Sequence, residues 1–348
     1  MSAQTGQGVD ADGDVQGERK RVRRRVVNPV PGEGTDGLYT QSWFPLALSS
    51  DVPVGGRVGR DFLGGRVVIF RGEDGVARVM SAYCPHLGAD LSVGQVVGNN
   101  IQCAFHRWEF DAEGWVARTG VGDKAPNWAC LYPFPVLERY GLIWAFNGDE
   151  PLFDMIEFEY PDADLLAHAF EIGVYKCDGW VFAANTPDIQ HSRSVHMLQF
   201  QGPEPHETME WSDYGFRMKL QAIHQQGEKL EWVAGIQGSS IFFQQGLIDD
   251  WWIGVVSGFS CPRPGEHVVF TTVLVKKGDG TPEGDRLARE HLDYGVALLD
   301  RTAAEDKDVL NTIHYAPGAL TRADRSLVRY LDLIRNFPRA NPAADFLN

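Results

Sequence analysis

The 348-residue chain has no run of about eighteen apolar residues, so nothing in it reads as a membrane-spanning helix. Basic charge is in deficit: 32 Lys and Arg face 47 Asp and Glu, a formal net charge of −15. Broad electrostatic binding to nucleic acid or to an anionic membrane is therefore disfavoured. Cysteine is scarce, five in all, too few for the disulfide framework of a small secreted scaffold. The polar, acidic N-terminus lacks the apolar core of a signal peptide, and a cytoplasmic location is expected. A Gly-rich dinucleotide loop is missing, as is any further cysteine cluster, so the chain is not expected to draw electrons from NADH unaided. No internal repeat of useful period occurs. With 43% hydrophobic and 23% charged residues, what remains is a globular body long enough for two packed units.

Residues 1–38 are rich in Gly, Asp and Gln and carry the basic run Lys20, Arg21, Arg23, Arg24 and Arg25. Such a composition cannot offset its own ordering entropy, and a disordered tail is expected. Residues 39–150 read as a small all-β unit of short Val-, Ile- and Phe-rich segments. Residues 65–70 and 77–80 flank the turn Glu73-Asp74-Gly75, and 140–146 form a final buried strand. The linker Asn147-Gly148-Asp149-Glu150-Pro151 sets a boundary near 150. Residues 151–348 read as α+β, with β-like stretches at 171–176, 216–224, 240–244, 251–259 and 267–276. Helices are expected from Thr186 and across 285–337.

Chemistry enters with the cysteines. Cys84-x-His86 is followed, after sixteen residues, by Cys103-x2-His106, so that each of two tight loops offers one thiolate and one imidazole. Zinc fingers usually pair two cysteines on one element and two histidines on another, whereas a mixed pair on each loop suits a cluster with two cysteines on one iron and two histidines on the other. The pattern, with flanking Pro85, Gly88, Phe105 and Trp108, resembles the Rieske [2Fe-2S] domain over roughly residues 40–147. Ala104 and Arg107 depart from that family's second loop, and Arg107 bears on the cluster potential or on the docking face. A structural zinc site is the alternative. Cys130, Cys177 and Cys261 have no metal spacing and read as core residues.

A second set lies about ninety residues further on. Thr186 reads as an N-cap with Pro187 at the first helical position, which places Asp188 and His191 on one face, with Asp188 in reach of the His191 imidazole. His191 and His196 are about 140° apart on a regular helix, so the helix must end, kink or bulge between them if both bind one ion. Two histidines and a carboxylate make the facial triad of non-heme Fe(II) oxygenases. The box Asp188-x-x-His191-x4-His196, in this order after the first motif, resembles that of Rieske non-heme iron oxygenases.

That resemblance implies an α+β protein in which the Rieske unit is followed by a helix-grip catalytic domain with an antiparallel sheet and C-terminal helices. It implies a third ligand from an acidic helix, here Asp306, with Glu305 and Asp308 as rivals. It also implies that Asp188 links His191 to His106 of a neighbouring subunit in a homotrimer, and it puts Asn185 beside the iron, with a capping or core hydrogen bond as the equal alternative for Asn185. The implied cofactors are a [2Fe-2S] cluster and a mononuclear Fe(II). The implied partners are O2 and a ferredoxin or NAD(P)H-dependent reductase. Length and the 323–337 stretch resemble the monooxygenase and demethylase branch. Phe242, Phe243, Trp251, Trp252 and Phe259, those of one parity, are candidates to line an apolar pocket for an aromatic or polycyclic molecule, with core packing as the competing reading. His224, His267 and His314 read as surface or structural residues. The binding-module alternative is an electron-transfer or lipid-binding protein without oxygenase chemistry, which would leave Asp188, His191 and His196 a buried polar trio with no purpose.

Overall fold

The computed structural model describes residues 29–347. The basic run at 20–25 and most of the expected tail lie outside the described residues. Within them, no helix is long and apolar enough to cross a membrane.

Eleven short strands make up the first part: β1 (Tyr39–Thr40), β2 (Trp43–Leu48), β3 (Arg57–Phe62), β4 (Gly65–Arg71), β5 (Ala77–Ser81), β6 (Gln95–Val97), β7 (Asn100–Gln102), β8 (Glu109–Phe110), β9 (Val116–Arg118), β10 (Val136–Arg139) and β11 (Leu142–Phe146). They pair antiparallel into the sheets β3-β4-β5, β6-β7-β8-β9 and β10-β11-β2. The run 67–70 is fully buried because β4 is the central strand of its sheet, flanked by β3 and β5.

Eight strands follow: β12 (Leu165–Tyr175), β13 (Gln199–Gln201), β14 (Glu210–Ser212), β15 (Gly215–Ile223), β16 (Lys229–Gln237), β17 (Ile241–Ile248), β18 (Trp251–Arg263) and β19 (Glu266–Lys276). They form one antiparallel sheet in the order β12-β19-β18-β17-β16-β15-β13, with β14 also on β15. Between β12 and β13 lie the short helices α1 (Gly179–Ala183) and α2 (Ile189–Ser194). After β19 come the 31-residue α3 (Pro282–Thr312), α4 (Arg325–Arg335) and a last strand, β20 (Arg339–Ala340). Thr281 caps α3, its hydroxyl accepting the Gly284 N–H, with Pro282 at the first helical position. Strand β16 was not expected from the sequence: Leu230 and Trp232 alternate with Lys229 and Glu231, but the alternation breaks at Val233, Ala234, Gly235 and Ile236.

A shared core joins the two parts. Trp43, Leu142, Trp144 and Phe146 of the first pack with Trp252, Val256, Phe270 and Leu274 of the second. Gly258 permits the approach, since a Cβ there would meet the Trp144 ring at 2.5 Å and Pro45 at 2.6 Å.

The ends of the described chain depart from the expected boundaries. Residues 29–38 are packed rather than tail-like: Glu33 is buried, accepts hydrogen bonds from the Thr40 amide and hydroxyl, and pairs with Arg339. Partners far along the chain supply what the local composition lacks. At the other end β20 pairs with β1, and Ala343 and Leu347 enter the core of the first part, although position in the chain assigned them to the second. Asn147 of the expected linker is fully buried and donates to the carbonyls of Tyr39, Thr40 and Ala340.

Candidate functional site

Two loops at one end of the first part carry the cysteines and histidines. In each, the amide four residues on closes a turn onto the cysteine carbonyl: Gly88 N–H to Cys84 at 2.8 Å and Arg107 N–H to Cys103 at 3.1 Å. The closing residue has positive φ in both, +75° for Gly88 and +56° for Arg107. Arg107 thus occupies a left-handed position that costs a non-glycine residue roughly 1–2 kcal/mol. Both thiols are buried, and Cys103 lies within hydrogen-bonding reach of Cys84. Burial, with Cys103 close by, pushes the Cys84 thiol up to about 12. The imidazoles face outward: His86 is exposed, stacks on Trp108 at 4.6 Å between ring centres, and meets the His106 ring edge-on at 4.6 Å. Leu87 and Phe105 at the loop tips are 65% and 62% exposed, an apolar rim around the imidazoles.

The second set assembles where α2 meets α3. Asp188, not Thr186, is the N-cap of α2, and its Oδ1 accepts the backbone N–H of His191 at 3.0 Å. The expected contact of Asp188 with the His191 imidazole is therefore replaced by a cap. The side chain is spent on an orphan amide of the first turn because residues 184–187 form turns after α1 rather than a helix. Helix α2 ends at Ser194, and Met197 takes φ +54°, turning the chain so that the His196 ring reaches His191. Their Nε2 atoms stand 3.0 Å apart.

Asp306 comes from α3, on the face that also carries Leu299, Thr302, Ala303 and Leu310. Its Oδ1 lies 3.2 Å from His191 Nε2 and 3.7 Å from His196 Nε2. These three ligand atoms all lie within 4.8 Å of one another. Asp308 is exposed on another face of α3. Glu305 does a different job: its Oε2 is 2.8 Å from His196 Nδ1, the ring nitrogen facing away from the other two side chains. A carboxylate there holds the ring and its tautomer so that Nε2 presents a lone pair. Sequence reasoning saw Glu305 only as a rival ligand, because the phase of a helix against a distant ring is not written in a local motif.

The triad lies in the wall of a cavity of about 180 Å3 between the sheet and α3, with Asn185 and Thr186 beside it. Alternate residues of three strands line it, Met218 and Leu220, Leu230, Trp232 and Ala234, then Phe242 and Gln244. Of the five aromatic candidates only Phe242 lines it. Phe243, Trp252 and Phe259 pack into cores, and Trp251 stacks on His291. His224, read as surface or structural, is also a lining residue. His267 is fully buried, its Nδ1 is 2.6 Å from the Cys177 carbonyl, and burial lowers its pKa to about 4. His314 is exposed, Cys177 and Cys261 are buried, and Cys130 is only half-buried.

Residues 42–129 match the family model for the Rieske [2Fe-2S] domain, a span that contains all four loop residues. The chain is 33% identical over 190 residues to cholesterol 7-desaturase of Bombyx mori, covering 51% of this chain and 40% of that protein. It is 30% identical to the vanillate O-demethylase oxygenase subunit of Pseudomonas sp. (44% of each chain). It is 33% identical to a probable 3-ketosteroid-9-alpha-monooxygenase oxygenase component of Rhodococcus rhodochrous (45% and 41%). In each case less than half of the curated relative's length is spanned. Among solved structures, NdmA of Pseudomonas putida CBB5 with caffeine superposes with a TM-score of 0.66 at 19% identity, over 84% of this chain and 89% of that one. The chain thus carries a Rieske [2Fe-2S] domain, and over about half its length it is similar to Rieske oxygenase components.

The donors suit that family's cofactors. Two buried thiols with one exposed and one half-buried imidazole, from paired loops, are the mixed donor set a Rieske cluster takes. Asp306 Oδ1 is buried and makes no hydrogen bond, although two imidazole nitrogens face it. An orphaned carboxylate oxygen costs stability unless a cation satisfies it. Dicamba monooxygenase, solved with non-heme iron, shares this fold with a TM-score of 0.59.

Proposed function

We propose that the chain is the terminal oxygenase component of a multicomponent system, oxidising an apolar, aromatic or polycyclic small molecule with O2. One observation carries this reading: two imidazoles and an otherwise unsatisfied carboxylate converge in the wall of an apolar cavity, in a chain that also has a Rieske domain. Cys84, His86, Cys103 and His106 would hold the cluster, and His191, His196 and Asp306 the iron. When bound, the pair of cofactors supplies one-electron transfer and oxygen activation.

The remaining tasks fall to residues of this chain. Leu220, Trp232, Ala234 and Phe242 pack the substrate's apolar surface and exclude water, while Asn185 and Thr186 offer polar contacts near the triad. Glu305 fixes the His196 ring. Asp188, whose Oδ1 takes the His191 amide, would couple that residue to His106 of a neighbouring copy in a homotrimer. The exposed rim of Leu87 and Phe105 suits burial against that neighbour. Electrons would come from a ferredoxin or reductase in the cytoplasm. Relatives named for cholesterol and 3-ketosteroid chemistry favour a polycyclic substrate.

Metal analysis with a turnover assay tests the proposal. The expected result is three irons per chain and a substrate mass change of +16 or −14 in the presence of a ferredoxin and reductase. Zinc would return the chain to the structural-zinc alternative, and two irons with no product from any aromatic or polycyclic compound to the electron-transfer or binding-module alternative.

A further inference from the structure

The cavity has a second polar end. His224 and Glu228 lie at the tight turn between β15 and β16, where the His224 amide bonds the Glu228 carbonyl and the Gly227 amide bonds the His224 carbonyl. Across this turn His224 Nδ1 is 3.0 Å from Glu228 Oε2, and Tyr294 of α3 donates its hydroxyl to Glu228 Oε1 at 2.5 Å. All three residues line the same cavity as the triad. Tyr294 and Asp306 are twelve residues apart on α3, about 18 Å along the helix axis. The strand opposite agrees, since Phe242 and Ile248 both line the cavity, roughly 20 Å apart along β17. Between the two ends the wall is mainly apolar, with Leu220, Leu230, Trp232, Leu298 and Leu299 prominent.

The hydrogen-bond pattern fixes what this end can recognise. Burial opposes ionisation of Glu228, but the Tyr294 hydroxyl, its own amide and His224 together hold its carboxyl below the usual range. An ionised carboxylate only accepts, so Nδ1 is the His224 nitrogen that donates to Glu228, and in the neutral form of the ring Nε2 is the acceptor left to face the cavity. Nε2 has no hydrogen-bond partner among the described residues, while the Tyr294 proton is committed to Glu228. Among the residues that line this end, Nε2 is therefore the group left open, an acceptor for a hydroxyl donor; Arg301, which interacts with Tyr294, is not a lining residue.

We propose that His224 Nε2 recognises the hydroxyl of an elongated apolar alcohol whose opposite end lies against His191, His196 and Asp306. Glu228 acts as a positioning residue that sets the tautomer, and Tyr294 holds Glu228. With hydrogen-bond contact at one end and close approach at the other, the hydroxyl and the oxidised carbon are on the order of 10 Å apart. The inference rests on the oxygenase reading above and specifies its substrate class.

Equilibrium dialysis of the cofactor-loaded protein tests it with two matched sets: 5α-androstan-3β-ol, the 3-one and the parent hydrocarbon, and 1-dodecanol, 2-dodecanone and dodecane. At least one scaffold should bind with the alcohol favoured about tenfold over its ketone and hydrocarbon, the worth of one buried hydrogen bond. His224→Phe should erase that preference and leave hydrocarbon affinity within about twofold. Glu228→Gln is the decisive variant. Its amide N–H donates to Nδ1, moves the ring proton to Nε2, and should reverse the preference toward the ketone, which a purely structural strap would not do. Failure of every compound to bind, equal affinity for alcohol and hydrocarbon, or an alcohol preference unchanged in Glu228→Gln overturns the proposal. His191→Ala separates the two readings, because an alcohol preference kept in that iron-deficient variant supports recognition by His224 whatever becomes of turnover. Turnover without any alcohol preference would sink this inference alone.

Discussion

Cys84, His86, Cys103 and His106 come from two loops of one small β unit, with thiols buried and the His86 ring exposed. His191, His196 and Asp306 come instead from a short helix, the turn after it and a long helix more than a hundred residues later, and they meet in the wall of a cavity. Each region suits a different task. Imidazoles near the surface within an apolar rim would bring a redox group to where another protein can approach it. A recessed triad under an apolar wall keeps its open side for small molecules and away from water. The loops close through their own backbone bonds, whereas the triad depends on how α2 and α3 pack.

If the two regions are independent as metal sites, His191→Ala should abolish product formation while the cluster absorption of the loops stays intact. Iron analysis with visible spectroscopy checks this, and joint loss of both signals would break the comparison. The next largest effect concerns acid stability of the second part. His267 has its pKa lowered by burial to about 4, against an unfolded value near 6.5. The unfolded chain therefore takes up this proton first as pH falls. Stability present above pH 6.5 is lost progressively down to about pH 4, on the order of 3 kcal/mol for this group. His267→Phe should flatten that limb in denaturant titrations at several pH values.

Glu305→Gln is expected to weaken iron binding at the triad by roughly 10–100-fold without touching the cluster. Competition against a chelator measures it, and unchanged affinity would remove Glu305 from the site. The smallest effect belongs to the loops. Arg107→Gly relieves a left-handed non-glycine residue and should raise stability by about 1 kcal/mol, seen as a higher Tm. A lower Tm would mean that the Arg107 side chain contributes more than its backbone costs.

The loops were readable in advance because their spacing is short: once Cys84 and His86 are two residues apart, few backbone arrangements remain. The sheet and helices of the second part were readable in outline from periodicity, but β16 was missed between its hairpin turns. Residues 29–38 and 339–347 were misjudged because what orders them is distant, Arg339 for Glu33 and the first core for Leu347. The same limit hid the work of Asp188, a cap whose need arises only because α1 stops at Ala183.

From the string of residues alone came the order of the candidate donor groups, two cysteine–histidine pairs and then two histidines with acidic candidates downstream. Those follow from chemistry and close spacing. Packing settled which acid faces the histidines, since Asp306, Glu305 and Asp308 differ only in their angle around α3, and that angle has meaning only against α2. Packing likewise turned Phe242 into the cavity and Phe243 away, and brought His224 and Tyr294 to the cavity's far end. A local pattern records what a side chain can do, and the neighbours that folding brings from far along the chain select which of those things it does.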